Sequence, residues 1–297
     1  MQKYEGMIAA MATPMKPDES LDFDAITRLV RHLFAKGLHG ILAGGTTGEY
    51  NLMSISERKD LFKCAVEAAK GTGGYVVAGA SCFRTSDTVA LAGYAGEIGA
   101  DFVLVLPPYY HTTTKQGVYD YFKTVSENTK AGVLIYHYPA ATNILLEPEF
   151  LAELGKFDNI VGIKNTADME HTSKLIALNA HYEGFKISNG YEHLFLPTLA
   201  CGGDGCMGIV QNLVPAQMRE MYDLVRKNDI AGAAKINEKM VPIYNMLETA
   251  DEPCPGPVKY GLELQGLSAG LPRRPIVGVS EGMKVKIEQV MKQAGVL

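Results

Sequence analysis

The sequence predicts an α/β fold of the (β/α)8 kind, the TIM barrel, with a C-terminal helical extension. Three observations carry that reading. Eight short apolar stretches alternate with eight helical patterns, the apolar stretches are too uniformly hydrophobic to keep a wet face, and the alternation stops beyond residue 228. Parallel strands covered by helices on both faces read as continuous apolar runs, and eight such units close into a barrel. A doubly wound open sheet is the other arrangement the alternation allows, because strand order is not written in periodicity.

The elements follow in order. Met7 to Thr13 is apolar and enters Pro14, as a buried strand enters a loop. Asp22 or Asp24 is placed to cap a helix whose Ile26, Leu29, Val30, Leu33 and Phe34 recur on one face, with Gly37 at its end. Gly40 to Ala43 is the second strand, and Ser54 with Glu57 forms a capping box for a helix running to Gly71. Strand Tyr75 to Ala80, helix Ser86 to Ile98 and strand Phe102 to Leu106 come next, the last stopped by Pro107 and Pro108. Helix Gln116 to Asn128, strand Gly132 to Tyr136 and a helix near Glu147, with Pro148 in its first turn, lead to strand Ile160 to Lys164. Helix Met169 to Ala180, strand Phe185 to Ser188, helix Glu192 to Ala200, strand Gly205 to Ile209 and a helix from Pro215 complete a barrel over residues 1–228. Residues 229–297 read as helices Ile230 to Leu247, Val258 to Leu264 and Gly282 to Ala294, packed on that barrel.

Composition narrows the function classes. The chain has 297 residues, 47% of them hydrophobic, enough for a large core without staples. Its 28 basic and 33 acidic residues give a net charge of -5 with no basic stripe, which argues against nucleic acid. No run approaches the roughly 18 apolar residues of a membrane helix, and the first residues lack a signal peptide's apolar region. The five cysteines are odd in number and scattered, as expected of reduced thiols. These features predict a cytoplasmic protein. Cys201 and Cys206 have no second pair at zinc-site spacing, so no metal is expected.

In a barrel of this kind the reactive side chains sit at the C-terminal ends of the strands. That rule selects Gly44, Gly45, Thr46, Thr47, Gly48 and Glu49 after strand two, and Tyr109 and Tyr110 after strand four. It also selects Tyr136, His137 and Tyr138 at strand five, Lys164 at strand six, and Asn189 to His193 after strand seven. A lysine ending a buried strand must find a partner or lose its proton, and a neutral amine beside phenols and hydroxyls suits Schiff-base chemistry. Gly202, Gly203, Asp204 and Gly205 look like a phosphate cradle but precede strand eight, which places them at the opposite face as a turn. His32, His39, His171 and His181 fall on helices or their ends and read as packing or solvated residues. His111, His137 and His193 lie near the rim as minor candidates for substrate contact.

With these residues in hand, the chain resembles the dihydrodipicolinate synthase and N-acetylneuraminate lyase family of Schiff-base aldolases. The likeness spans the whole sequence: Gly-Thr-Thr-Gly-Glu at 45–49, Pro-Tyr-Tyr at 108–110, Tyr-x-x-Pro at 136–139, Gly-x-Lys at 162–164 and Pro-Val-Lys at 257–259. It implies a homotetramer built as a dimer of dimers, and pyruvate bound as a Schiff base on Lys164 with no cofactor or metal. It implies that Tyr136 is the general acid and base, that Thr46 and Tyr110 complete a proton relay, and that Tyr110 is offered across a dimer interface. Thr47 resembles the residue holding the pyruvate carboxylate, next to Gly45, while Gly190 and Met207 match positions lining the pyruvate pocket.

The aldehyde partner is less fixed. The synthases hold the carboxylate of aspartate semialdehyde with an arginine just after the Tyr-x-x-Pro turn, and this chain has Ala141 there. A lost charge-assisted hydrogen bond costs about 1.5–3 kcal/mol. Residues 136–142 are similar to the turn of 2-keto-3-deoxygluconate aldolases, and residues 189–192 and Thr166 to the sialic acid lyase. The acidic pair that grips sugar hydroxyls in that lyase stands here as Glu192 and His193, and its serine after strand eight as Ile209. The leading expectation is therefore a pyruvate-dependent aldolase or lyase acting on a 2-keto-3-deoxy sugar acid or related 2-oxo acid. The alternatives are 4-hydroxy-tetrahydrodipicolinate synthase, a dehydratase of the same family, and a ligand-binding barrel without turnover.

Overall fold

The structure, a computed structural model, describes residues 3–111, 113–247, 252 and 254–297. Eight parallel strands close into a barrel in sequence order, which excludes the open sheet. They are β1 (Gly6–Ala10), β2 (Gly40–Ala43), β3 (Tyr75–Gly79), β4 (Phe102–Val105), β5 (Gly132–His137), β6 (Ile160–Asn165), β7 (Lys186–Asn189) and β8 (Gly205–Gly208).

The helices form where the local signals place them. Asp22 caps α1 (Phe23–Ala35), accepting from the Ala25 N–H at 2.9 Å, and the α1 face at 25, 26, 29, 30, 33 and 34 is buried. Ser54 and Glu57 complete the capping box of α2 (Ile55–Ala69). Then come α3 (Thr85–Glu97), α4 (Lys115–Glu127), α5 (Pro139–Thr142), α6 (Pro148–Leu154) and α7 (Met169–Leu178). The short α5 was not anticipated, although Pro139 at its first position and Asn143 in the left-handed region after it are an ordinary start and stop.

The helix expected over Glu192 to Ala200 is instead a 3-10 turn, Glu192–Leu194, followed by α8 (Phe195–Ala200). Pro197 explains the break: its ring would clash with the carbonyl of residue 193, so the α-helix restarts with the proline in its first turn. After α9 (Pro215–Arg226), α10 (Ile230–Leu247) packs on α8 and α9, and α11 (Gly256–Leu264) packs on α12 (Glu281–Gln293). Among the described residues no helix is long and apolar enough to cross a membrane.

The N-terminal end of the barrel is closed by aromatic rings. Tyr4, Tyr75 and Phe102 meet edge to face with centroids 5.2–6.5 Å apart. Gly132 and Gly162 make room for them, since a Cβ there would lie 2.9 Å from Phe102 and 2.7 Å from Tyr4. The Gly202–Asp204 turn sits at this end as expected, its Asp204 carbonyl accepting from the Gly6 N–H at 3.0 Å. The opposite end, where the strands point, is left for chemistry.

Candidate active site

The loop after β2 is held from below and behind. The Thr13 hydroxyl donates to the Gly48 carbonyl at 2.7 Å, and the Gly45 carbonyl accepts from the Tyr50 N–H at 3.3 Å. Glu49 adopts a left-handed backbone and is fully buried against Lys259, at 2.6 Å, while its other oxygen accepts from the Arg273 N–H at 2.6 Å. The Lys259 ammonium also donates to the Leu271 carbonyl at 3.0 Å. The loop that offers Thr46 and Thr47 is thus pinned to the helical extension by a buried ion pair, of a kind that costs about 3–5 kcal/mol to break from one side.

Strands β5 and β6 bring Tyr136 and Lys164 together in register. Both are about 5% exposed, and the lysine Nζ lies 4.5 Å from the centroid of the Tyr136 ring. Burial pulls the Lys164 pKa down to about 8, with Glu192 and Cys254 opposing. Burial raises the Tyr136 phenol well above its ordinary range, so it stays protonated. The Thr46 and Thr166 hydroxyls approach that phenol and oppose the rise. The Thr166 contact falls short of good hydrogen-bond geometry, so its buried Oγ1 has no well-formed partner.

Gly190 is obligatory here. A Cβ at that position would sit 2.2 Å from the Thr166 hydroxyl and 2.7 Å from Lys164 Cε, displacing both. Glu192 is buried at the same rim, one carboxylate oxygen accepting from the Ile209 N–H and, at 3.3 Å, from the Val210 N–H. Met207 on β8 is fully buried among the interior side chains that include Tyr136.

Thr46, Thr47, Tyr136, Lys164, Thr166, Gly190 and Glu192 share one cavity of about 390 Å³. A larger cavity, about 740 Å³, lies among α1, α9 and the C-terminal helices, but its lining of residues such as His32 and Lys292 holds no phenol. Tyr110 does not join the cavity of its own chain. It is 85% exposed, with φ of 75°, and its ring meets Phe83 and His111 edge on. Cys254 does join it, a residue that sequence reasoning passed over as a scattered thiol. It approaches the Thr47 hydroxyl, and burial pushes its thiol up to about 12. Its place just before the Pro-Val-Lys run was the one available signal. Among the described residues no cluster of three metal-ligating side chains occurs.

A weakly basic buried amine, a protonated phenol and a hydroxyl-rich loop can assemble and take apart a carbinolamine. The Dihydrodipicolinate synthetase family model matches residues 3–294 of this chain. The chain belongs to that family. Its members are lyases of the Schiff-base type that use no external cofactor, and this chain is an enzyme of that type. The chain is 34% identical to the 4-hydroxy-tetrahydrodipicolinate synthase of Listeria welshimeri, over 96% of this chain and 97% of that one. It is 32% identical to the enzyme of the same name from Archaeoglobus fulgidus, over 97% and 98%. Among solved structures it is similar to the dihydrodipicolinate synthase of Acinetobacter baumannii complexed with pyruvate, at a TM-score of 0.92 and 28% identity, covering 99% of each chain.

Against that family background, the outer half of the site has its own chemistry. A second cavity of about 540 Å³ adjoins the first, both bordered by Thr166 and Tyr191. Its wall includes Pro139, Ala140, Leu145 and Leu194. Lys164 is the one lysine or arginine among the described residues lining either cavity. Ala141, on α5, is exposed. His193 borders the outer cavity, and its Nε2 lies 3.0 Å from Asn245 Oδ1. His137, a minor candidate for substrate contact, is instead fully buried and stacks on His171, whose packing role the sequence reading allowed, with ring centroids 4.8 Å apart.

Proposed function

We propose that Lys164 carries pyruvate as a Schiff base and that the enzyme makes or breaks the carbon–carbon bond beside that imine. The observation that carries this reading is the buried Lys164 amine packed on Tyr136, with Thr46 and Thr47 in the same cavity. The neutral amine adds to the pyruvate carbonyl, and Tyr136 gives a proton to the hydroxyl that leaves as water. Loss of a methyl proton turns the imine into an enamine, whose carbon adds to an aldehyde as the aldehyde oxygen takes up a proton. Hydrolysis frees the product and Lys164. Thr47 holds the pyruvate carboxylate through its hydroxyl and N–H, and Thr46 relays protons. The exposure of Tyr110 is consistent with its entering a neighbouring subunit's relay, within a homotetramer made as a dimer of dimers. The five unpaired cysteines support a cytoplasmic location.

For the aldehyde, the geometry best supports an uncharged, hydroxylated partner, so that the full substrate or product is a 2-keto-3-deoxy sugar acid. Thr166 and Glu192 bring oxygen acceptors to the cavity, and among the described residues lining it and the outer cavity Lys164 has no second lysine or arginine beside it. Names of relatives at 32–34% identity support the other reading, 4-hydroxy-tetrahydrodipicolinate synthase. Incubation with pyruvate and borohydride, followed by peptide mass spectrometry, is expected to locate a stable adduct on Lys164; no adduct there overturns the Schiff-base assignment. Turnover of glyceraldehyde and 2-keto-3-deoxygluconate is then compared with that of aspartate semialdehyde. A clear preference for aspartate semialdehyde would replace the sugar-acid reading with the synthase.

A further inference from the structure

Pro139, Ala140 and Leu145, within the segment from Tyr138 to Leu146, line the outer cavity, and a closed ring of four hydrogen bonds ties the end of that segment to β5 and β6. The Leu146 N–H donates to His137 Nε2 at 3.1 Å, and His137 Nδ1 meets Asn165 Oδ1 at 2.7 Å. Asn165 Nδ2 meets His171 Nδ1 at 3.2 Å, and His171 Nε2 meets the Leu146 carbonyl at 2.9 Å.

The direction of every bond is fixed by Leu146. Its N–H only donates, so His137 Nε2 is unprotonated and the imidazole proton sits on Nδ1. Asn165 must then turn its oxygen to His137 and its NH2 to His171, whose Nδ1 accepts, leaving the proton on Nε2 to reach a carbonyl that only accepts. Going round the ring from either end gives the same tautomers. The second N–H of Asn165 reaches the Thr172 hydroxyl at 3.0 Å, so both amide protons are used. Burial pulls the His137 pKa down to about 4, which keeps that ring neutral.

His137 and Asn165 are the residues immediately after Tyr136 and Lys164, and they pair in register across β5 and β6. The ring therefore joins the ends of the two strands bearing the reactive pair to the wall of the outer cavity. We propose that His137, Asn165 and His171 are positioning residues that hold residues 138–146 as a preformed wall for the second substrate. This inference rests on the aldolase reading above. It assigns the ring to aldehyde recognition and leaves imine formation to the inner cavity.

His171→Phe removes two of the four bonds and keeps the stack on His137. It is expected to speed hydrogen exchange at the Leu146 amide and to raise KM for the aldehyde by about tenfold, with pyruvate KM and borohydride trapping on Lys164 within about twofold. His171→Gln can still donate to the Leu146 carbonyl and is expected to stay within about threefold of the parent enzyme. An unchanged aldehyde KM in His171→Phe, or a parallel fall in pyruvate trapping, overturns the inference. Nitrogen chemical shifts of the parent enzyme give a check that needs no variant: a proton on Nδ1 of His137 supports the ring, and a proton on Nε2 overturns it. Failure of the parent enzyme to trap pyruvate would instead remove the aldolase reading, while the exchange and tautomer measurements still report on the ring itself.

Discussion

The two ends of the barrel are built from the same eight strands and solve opposite problems. At the N-terminal end Tyr4, Tyr75 and Phe102 pack edge to face against glycines, and the polar tips find partners: the Tyr4 hydroxyl at Ser188 and the Tyr75 hydroxyl at the Glu5 carbonyl, 2.8 Å away. At the C-terminal end a lysine and a carboxylate are buried together, and the Thr166 hydroxyl lacks a well-formed partner. Groups of that kind weaken a fold unless a ligand completes them. One end follows every rule of core packing, and the other breaks them where a substrate is to be received.

Substituting Lys164 is the sharpest way to expose this division. Lys164→Met keeps the apolar stem and removes the amine, so turnover is expected to fall by at least about ten-thousandfold. Stability should move the other way. With its folded pKa near 8, the lysine binds fewer protons in the native than in the unfolded chain between that value and its ordinary one. Stability from this group therefore rises with pH across that window, and the full penalty, on the order of 3 kcal/mol, is present at neutral pH. Thermal melts at pH 7 are expected to show Lys164→Met more stable than the parent. A variant that is inactive and also less stable would show that the amine is held by the fold and not strained by it.

Phe102→Ala tests the other end. The ring is fully buried among Tyr4, Tyr75 and the Gly132 backbone, so its removal is expected to cost about 3–5 kcal/mol. Denaturant melts should register that loss while turnover per folded molecule stays within about twofold. A large fall in turnover would mean that the two ends are coupled through the barrel interior.

Much of the fold was legible because it is local. The Asp22 cap, the Ser54–Glu57 capping box and the eightfold alternation each depend on residues a few positions apart. Most of the inner cavity was legible because its members end a strand or lie in the loop that follows one, and strand ends converge in a barrel. What escaped depends on register between distant segments. Nothing in the sequence pairs His137 with Asn165, or brings both to His171 and the Leu146 backbone. Cys254 escaped for the same reason: its place before the Pro-Val-Lys run was the one signal, and its approach to Thr47 depends on how the helical extension folds back on the barrel. Tyr110, expected to be offered across a dimer interface, lies exposed outside its own chain's cavity with its ring against Phe83.

Glu192 offers the smallest test of how the reactive end is tuned. Its carboxylate favours the charged form of Lys164, working against burial. Glu192→Gln keeps an oxygen for the Ile209 and Val210 amides and removes the charge, so the lysine pKa should fall below 8. Below its pKa the parent amine is mostly ammonium, with about a tenth neutral at pH 7, and each further unit of acid lowers that fraction about tenfold. The rate of pyruvate imine formation is therefore expected to rise with pH toward a plateau above 8 in the parent enzyme. In Glu192→Gln that limb should move to lower pH, with imine formation at pH 6–7 faster by a few-fold. A limb that stays in place would show that Glu192 acts on the cavity only through the backbone it holds.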